Sequence, residues 1–514
     1  MKLIPELVAP ARSSSVVTGA HRPAPPLRTK LSFITLAWVF GAIWFNTTTG
    51  EPLTVFAQKL GASNFQFGLL TAMPFLASLM AVPGSLLIEW TGRRKRVFLW
   101  SLYLQRALWF LIPLAPLVVL GRGGVHSGTR ALWVFLALMF VMYASGATGG
   151  PAWLAWMSDI VPARINGKYF SRRRQWGILS AVPAAVFVGW FLDREVPVDS
   201  NSILRWCAIF FLCSAVCGLM DIHFFRFVPA APRPPRRGVQ LLTAFREPLA
   251  NRQFLHYSMF AGMLTFAVNL LGQFATLYML ENVGVTNMSA QMVLVVTPML
   301  AQLAVLGGCG RAADRMGKRP LLVIASAGLV PVGLAWCFVT PNTIWLAYVL
   351  SALGAALWTG VEVANMNLVL EASAGGSQKG SSGYAAVNSV IINVAGCLGG
   401  LAAGAIAQVL RDRHWQPVSG FKSLGFFDAL FLAGAALRLI CFAGFLPLLQ
   451  EPSARSSFET LRFLVRDLCG TLIDIPRVIR KSGPPKPSRL QPLASLRLGE
   501  PESSDSPRPL RRVA

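Results

Sequence analysis

From Leu31 onward the chain repeats one pattern: an apolar stretch of roughly 20 residues, long enough to cross a bilayer as a helix, then a short polar break. The stretches lie near 31–50, 65–88, 97–120, 131–157, 176–193 and 203–227, and resume near 254–280, 288–310, 319–340, 343–370, 384–409 and 425–449. Twelve membrane spans are predicted, in two sets of six. This divides the chain into an N-terminal tail (1–30), a first half (31–228), a linker (229–252) and a second half (253–450). The linker is rich in Pro and Arg, among them Pro232, Arg233, Pro234, Pro235, Arg236 and Arg237. Beyond the last span, Phe458, Leu461, Val465, Leu468, Leu472, Ile475 and Ile479 recur at helical steps, with Arg462, Arg466, Arg477, Arg480 and Lys481 beside them. An amphipathic helix is expected over 451–481, lying on the membrane surface or against the bundle. From 482 to 514, Pro, Ser and Arg dominate and disorder is expected. No cleaved signal peptide is expected at the N-terminus, because no apolar run with a small-residue cleavage site occurs there.

Composition agrees with a membrane protein. Of the 514 residues, 54% are hydrophobic and 13% charged, with a mean hydropathy of +0.53. Soluble domains carry about 25% charged residues. The net charge of +25 would suit a nucleic-acid partner, but its distribution points elsewhere. Excluding the C-terminal tail, the loops on the side of the two termini hold 25 Lys and Arg, against eight in the opposite loops. That asymmetry places both termini in the cytoplasm by the positive-inside bias and removes the need for nucleic acid. The eight cysteines are scattered, mostly in apolar runs, without metal-ligand spacing. Neither a disulfide framework nor a metal site is expected.

The two halves repeat one another. Gly61-Ala62-Ser63-Asn64 returns as Gly284-Val285-Thr286-Asn287, and Pro74-Phe75-Leu76-Ala77 as Pro298-Met299-Leu300-Ala301. Likewise Glu89-x-x-Gly92-Arg93-Arg94 returns as Asp314-x-x-Gly317-Lys318-Arg319. Repeated halves with a midplane site between them are a transporter architecture. The run from Gly310 through Asp314, Arg315 and Gly317 to Arg319 resembles the loop signature of the major facilitator superfamily. In the first-half copy Ser85 stands for the opening glycine and Trp90 for the basic residue. Trp153, Trp156, Asp159, Pro162, Arg164, Gly167 and Arg172-Arg173-Arg174 resemble the family pattern after the fourth span. The resemblance implies an all-α polytopic membrane protein whose twelve transmembrane helices form two pseudo-symmetric six-helix bundles. It also implies a conformational lock built from Glu89, Arg93, Asp159, Asp314, Arg315 and Glu371, with Asp159 assigned to Arg93 and Glu371 to Arg315 or Lys318.

The resemblance further puts the first, fourth, seventh and tenth spans around a central cavity. Polar groups at membrane depth are costly and become site candidates. Glu362 is foremost, either paired or protonated, with Asn365 one turn away. Asn269 and Gln273, four apart, are expected to share a face of the seventh span. Asn46 on the first span and Tyr143 on the fourth complete the substrate and coupling candidates, each as readily helix-packing contacts as ligand contacts. Trp38, Trp44 and Trp358 could line the cavity or simply pack. Arg106 could pair with Glu362, bind an anionic substrate or snorkel, with structural pairing ranked first. Arg438 and Asp221 read as structural.

No enzyme signature appears: the five histidines are dispersed, and HExxH, GxSxG and GxxxxGKS are missing. No catalytic residue and no cofactor is expected. Without a nucleotide-binding domain, the energy source would be an ion or substrate gradient. The reading is a secondary active transporter for a small-molecule solute, with protons as candidate coupling ion and the lipid bilayer as its surroundings. A monomer in the plasma membrane, or the inner membrane of a prokaryote, is expected. The alternative is a transporter-like sensor or scaffold without flux.

Overall fold

In a computed structural model, the described residues are 27–124, 126–161, 166–194, 199–230, 241–375, 383–413, 424–448 and 455–481. The N-terminal tail up to residue 26, ten residues of the linker and everything after Lys481 lie outside them. Among the described residues, twelve helices are long and apolar enough to cross a membrane. The first six are Leu27–Lys59, Asn64–Thr91, Arg94–Gly121, Ser127–Trp153, Arg172–Arg194 and Ser200–Phe225. The second six are Arg252–Asn282, Asn287–Met316, Lys318–Phe338, Pro341–Val369, Gly383–Val409 and Phe426–Phe445. We call the side where the first span begins and the twelfth ends the basic face, and the other the opposite face.

The sequence repeat has a physical origin in how spans start. Gly61 and Gly284 turn the chain with φ of 87° and 68°, in the left-handed region that a side chain disfavours. Two residues later, the Ser63 hydroxyl accepts from the Gln66 N–H, and that of Thr286 accepts from the Ser289 N–H. Each is an N-cap that satisfies an otherwise orphaned donor at the head of the second and eighth spans. Gln58 and Glu281, which hold matching positions in the repeat, meet each other: the Gln58 amide donates to the Glu281 carboxylate at 2.6 Å.

The first span is longer than its apolar pattern suggested, and it is broken. One helix covers Leu27–Thr48 and a second Glu51–Lys59. Gly50, at φ 77°, makes the break, and Pro52 starts the second segment where its missing N–H costs nothing.

Three apolar cores reveal how the halves meet. Leu53, Phe56, Trp109, Phe135 and Phe211 of the first half pack in one core with Phe274, Tyr278, Val293, Ala407 and Phe431 of the second. These residues run from the middle of the spans to the ends nearest the opposite face. Nearer the basic face the core divides. Ile34, Phe98, Trp156 and Phe225 form a cluster of first-half residues, and Phe260, Leu264, Leu321 and Val361 belong to one of second-half residues.

Polar contacts and small residues reinforce the shared end. A Cβ on Gly68 of the second span would stand 2.4 Å from the Gly404 Cα of the eleventh, so two backbones touch there. The Thr54 hydroxyl donates to Gln273 Oε1 at 2.6 Å, and the Asn64 amide donates to the Ala407 carbonyl at 3.1 Å. Asp193 accepts from the backbone N–H groups of Asn287 and Met288, both at 2.8 Å, at the head of the eighth span.

After the twelfth span, a helix occupies Ser457–Lys481. The chain's main compact unit ends within it, at Leu468. Up to that point the helix packs on the basic end of the second half: Leu464 joins the second-half core, and Thr460 is fully buried.

Candidate substrate cavity

The first, fifth and eighth spans line a half-open cavity of about 550 Å³, between one half and the other. That volume suits a small organic molecule. Helical periodicity builds each wall. Trp38, Ala42, Phe45, Asn46 and Thr49 share one face of the first span, as Phe170, Arg173, Arg174, Gly177 and Ile178 share one face of the fifth. Leu294, Val295, Pro298, Met299 and Gln302 supply the eighth-span wall.

The cavity's charge is one-sided. The Arg173 guanidinium lies over the Trp38 ring, 4.4 Å from its centroid, and 5.3 Å from that of Trp153. Its Nε is buried and unpartnered, and the side chain makes no hydrogen bond or ion pair among the described residues. Asp221 and Tyr169 act on it only through space. The neighbouring Arg174 donates to Gln302 Oε1 at 2.9 Å and so links the halves. No carboxylate is among the described lining residues. Gly177 makes the stack possible, because a Cβ there would stand 2.0 Å from Trp38 Nε1.

A second feature lies just past the cavity. Glu51, two residues beyond Thr49, is 2% exposed, and both its carboxylate oxygens lack a hydrogen-bond partner. Gln291 is similarly buried, with its amide nitrogen and oxygen both unpartnered. Its Oε1 lies 3.9 Å from where a Cβ on Gly50 would stand. A buried polar group without a partner is expensive, and more so when ionised.

The family model described as Major Facilitator Superfamily matches residues 33–404. The chain belongs to the major facilitator superfamily. Among solved structures, a variant of the nucleoside transporter NupG superposes with a TM-score of 0.61 at 13% identity, covering 82% of this chain and 100% of that one. A D-xylose-proton symporter superposes at 0.60 with 16% identity, over 82% of this chain and 98% of its own. The xylose transporter XylE from E. coli, in a partially occluded inward-open conformation, gives 0.57 at 14% identity, over 82% and 100%. At such identities the likeness is one of fold. Comparison with curated proteins finds no match.

Of the site residues expected for this superfamily member, only Asn46 lines the cavity, and its amide donates to the Ala42 carbonyl at 2.9 Å on its own helix. Trp38 is there too. Asn269 and Gln273 do not share a helical face, because the helix Arg252–Asn269 ends and a turn intervenes before Phe274. Asn269 donates to the Thr265 carbonyl at 2.9 Å, while Gln273 belongs to the seal at the opposite face. Tyr143 packs beside the shared core. Glu362 is exposed and accepts from Trp358 Nε1 at 2.9 Å, one turn back on its own helix. Asn365 accepts from the Tyr257 hydroxyl at 2.5 Å and from the Asn388 amide at 3.2 Å, tying three spans together. Arg106 does not meet Glu362: it donates to Asp221 at 2.9 Å.

The lock residues are also divided. Asp159 pairs with Arg94, at 2.8 Å, not with Arg93. The helix of the third span begins at Arg94, which turns that guanidinium toward the end of the fourth. Glu371 pairs with Lys318. Arg311, inside the signature loop, grips both oxygens of Asp467 at 2.6 Å. Arg93, Asp314 and Arg315 are exposed and Glu89 is half-buried, and their side chains have no hydrogen bond or ion pair among the described residues.

Sequence reasoning missed Arg173, Arg174, Gln302 and Glu51 as site residues. The arginines read as a loop anchor before the fifth apolar stretch, although the helix already begins at Asn166. Glu51 fell one residue beyond the expected end of the first span.

Proposed function

We propose that this protein is a secondary active transporter that moves a small solute by alternating access. The observation that supports this reading is the division of the apolar core: one core shared by both halves toward the opposite face, two separate ones toward the basic face. Between them lies a cavity walled by both halves. Rocking one half against the other about that cavity would exchange the closed end for the open one. The positive-inside bias supports a cytoplasmic basic face, which makes this state inward-facing. A proton gradient is the coupling source we favour, with Glu51 as the carrier. An ionised Glu51 has no donor to compensate it here, and protonation removes that cost. Opening the opposite face would wet the same group and release the proton. Glu362, exposed and already bonded to Trp358, has less reason to change its state.

Uptake into proteoliposomes under an imposed proton gradient tests the reading. Glu51→Gln is expected to abolish gradient-driven accumulation while solute exchange persists, and Glu362→Gln to retain most of both. Full accumulation by a folded Glu51→Gln protein would remove Glu51 from coupling. The absence of any flux from the wild type, over a solute panel that binds it, would favour a sensor or scaffold.

A further inference from the structure

We propose that the solute is an organic anion: an oxyanion group held by Arg173, with an apolar or aromatic body against Trp38, Phe45 and Met299. The inference rests on the transport reading for its direction of use, but the binding site stands on its own observations.

The first observation is a charge without a counterion. A buried guanidinium is costly unless it is paired and hydrogen-bonded. Arg106 shows how this fold satisfies one, with Asp221 at 2.9 Å. Arg173, half-buried, has no such partner among the described residues, and its neighbour Asp221 is already engaged by Arg106. Arg174 adds a second positive charge, oriented by Gln302. With no acid among the described lining residues, the cavity presents net positive charge. A ligand carboxylate or phosphate would be the missing counterion, and the planar guanidinium fork matches both bidentately.

The second observation concerns the remaining walls. Trp38 covers one face of the guanidinium, which fixes its plane and directs its N–H edges. Phe45, Leu294, Val295 and Met299 line the same space and offer no hydrogen bond to a sugar-like polyol. Asn46, Thr49 and Gln302 could meet a few hydroxyls, but a strongly hydroxylated neutral solute would leave the others unpaired against these apolar walls. An anion on an apolar body leaves none.

Arg174 sharpens the mechanism. Its hydrogen bond to Gln302 crosses from the first half to the second, on the wall where the anion would sit. An anion that drew Arg174 toward itself would compete with that bridge and couple occupancy to the relation between the halves.

The test uses the full-length protein in detergent without phospholipid, and three probes of one shape: 2-naphthoate, 2-naphthyl phosphate and neutral 2-naphthamide. Thermal stabilisation and calorimetric titration are read for each. One or both anions are expected to bind saturably and the amide not. Arg173→Gln should weaken anion binding on the order of tenfold or more, the loss expected for a charge-assisted hydrogen bond. Arg173→Lys should fall between, having charge but no fork. The unliganded Arg173→Gln protein should unfold no earlier than the wild type, because a half-buried charge without a counterion among the described residues has been removed. Equal binding of amide and anion, no binding of either anion, undiminished binding by Arg173→Gln, or a marked loss of its stability would each overturn the proposal. Stabilisation only by a short-chain phosphatidate would overturn it in favour of a lipid headgroup. Arg173-dependent binding without flux in proteoliposomes would leave the anion site standing and remove the transport reading instead.

Discussion

Arg106, buried, and Arg173, half-buried with its Nε sealed, are guanidinium groups stacked on tryptophans of the first span, and they differ in what completes them. Arg106 lies 3.4 Å from the centroid of the Trp44 ring and donates to Asp221 and to Gln105 Oε1. Its pair is almost wholly sealed, with side-chain exposures of 9% and 7%. Arg173 has the same aromatic support from Trp38 but faces a cavity and forms no ion pair among the described residues. Under the proposed anion site, identical residue types do opposite work. Want of an acid is not enough to mark a site, since buried Arg438 meets only the Leu329 carbonyl at 3.2 Å; what sets Arg173 apart is that it also lines a cavity, where a counterion could arrive from outside.

The largest expected effect breaks the first member of that pair. Arg106→Gln leaves Asp221 buried without its cation, and should cost about 3–5 kcal/mol of stability. The double variant Arg106→Gln with Asp221→Asn should recover most of the loss, since no charge is then stranded. Thermal unfolding in detergent reads both. If Arg106→Gln unfolds like the wild type, the two arginines are not different in kind, and the argument for Arg173 loses its reference.

A smaller effect comes from the glycines on which the stacks rest. A Cβ on Gly218 would meet Arg106 Cδ at 2.6 Å and Trp44 Cδ1 at 2.8 Å, and both of those side chains are buried. Gly218→Ala should cost about 1–3 kcal/mol, the usual range for overpacking a core. Gly177→Ala would press on Trp38 from 2.0 Å, but that indole borders the cavity and can swing into it. Its stability loss should be the smaller, while binding of 2-naphthoate should weaken severalfold. The reverse order of the two stability losses would mean that Trp38 is as confined as Trp44.

Those glycines were illegible in the sequence, and the reason is general. Apolar length predicts that a segment crosses the membrane, so all twelve spans and the two halves could be read directly. The caps Ser63 and Thr286 were legible as a repeat for the same reason, because they are local. Which side chains meet depends on helix rotation and on breaks, which apolar content does not encode. Gly50 and Pro52 extend the first span to Lys59 and carry Glu51 into the core. The turn after Asn269 separates it from Gln273. Arg172-Arg173-Arg174 satisfies the positive-inside pattern whether its members point to headgroups or inward. Only the neighbours Trp38 and Gln302, from two other spans, show that two of them turn inward.

The smallest expected effect belongs to charges that have both a partner and water. Arg94–Asp159 joins the third and fourth spans, and Lys318–Glu371 joins the ninth and tenth, so each pair lies within one half. Their exposures, 18% and 30% in the first pair and 16% and 60% in the second, put them among partly screened ion pairs worth about 0–1 kcal/mol. That bounds any population change at roughly fivefold. The sign depends on which state holds the contact, since only a difference between states shifts an equilibrium. Asp159 and Glu371 are paired in the state closed at the opposite face, so Asp159→Asn or Glu371→Gln should lower its population. Asp314 has no partner in this state among the described residues and can act only through the other one. Asp314→Asn should therefore raise the population seen here. Spin labels on Arg122 and Asn342, one in each half at the opposite face, would report both directions as a change in the short-distance fraction. Shifts of the same sign from Asp159→Asn and Asp314→Asn, or a shift well beyond fivefold from either, would mean that these loops bind across the halves and not within them.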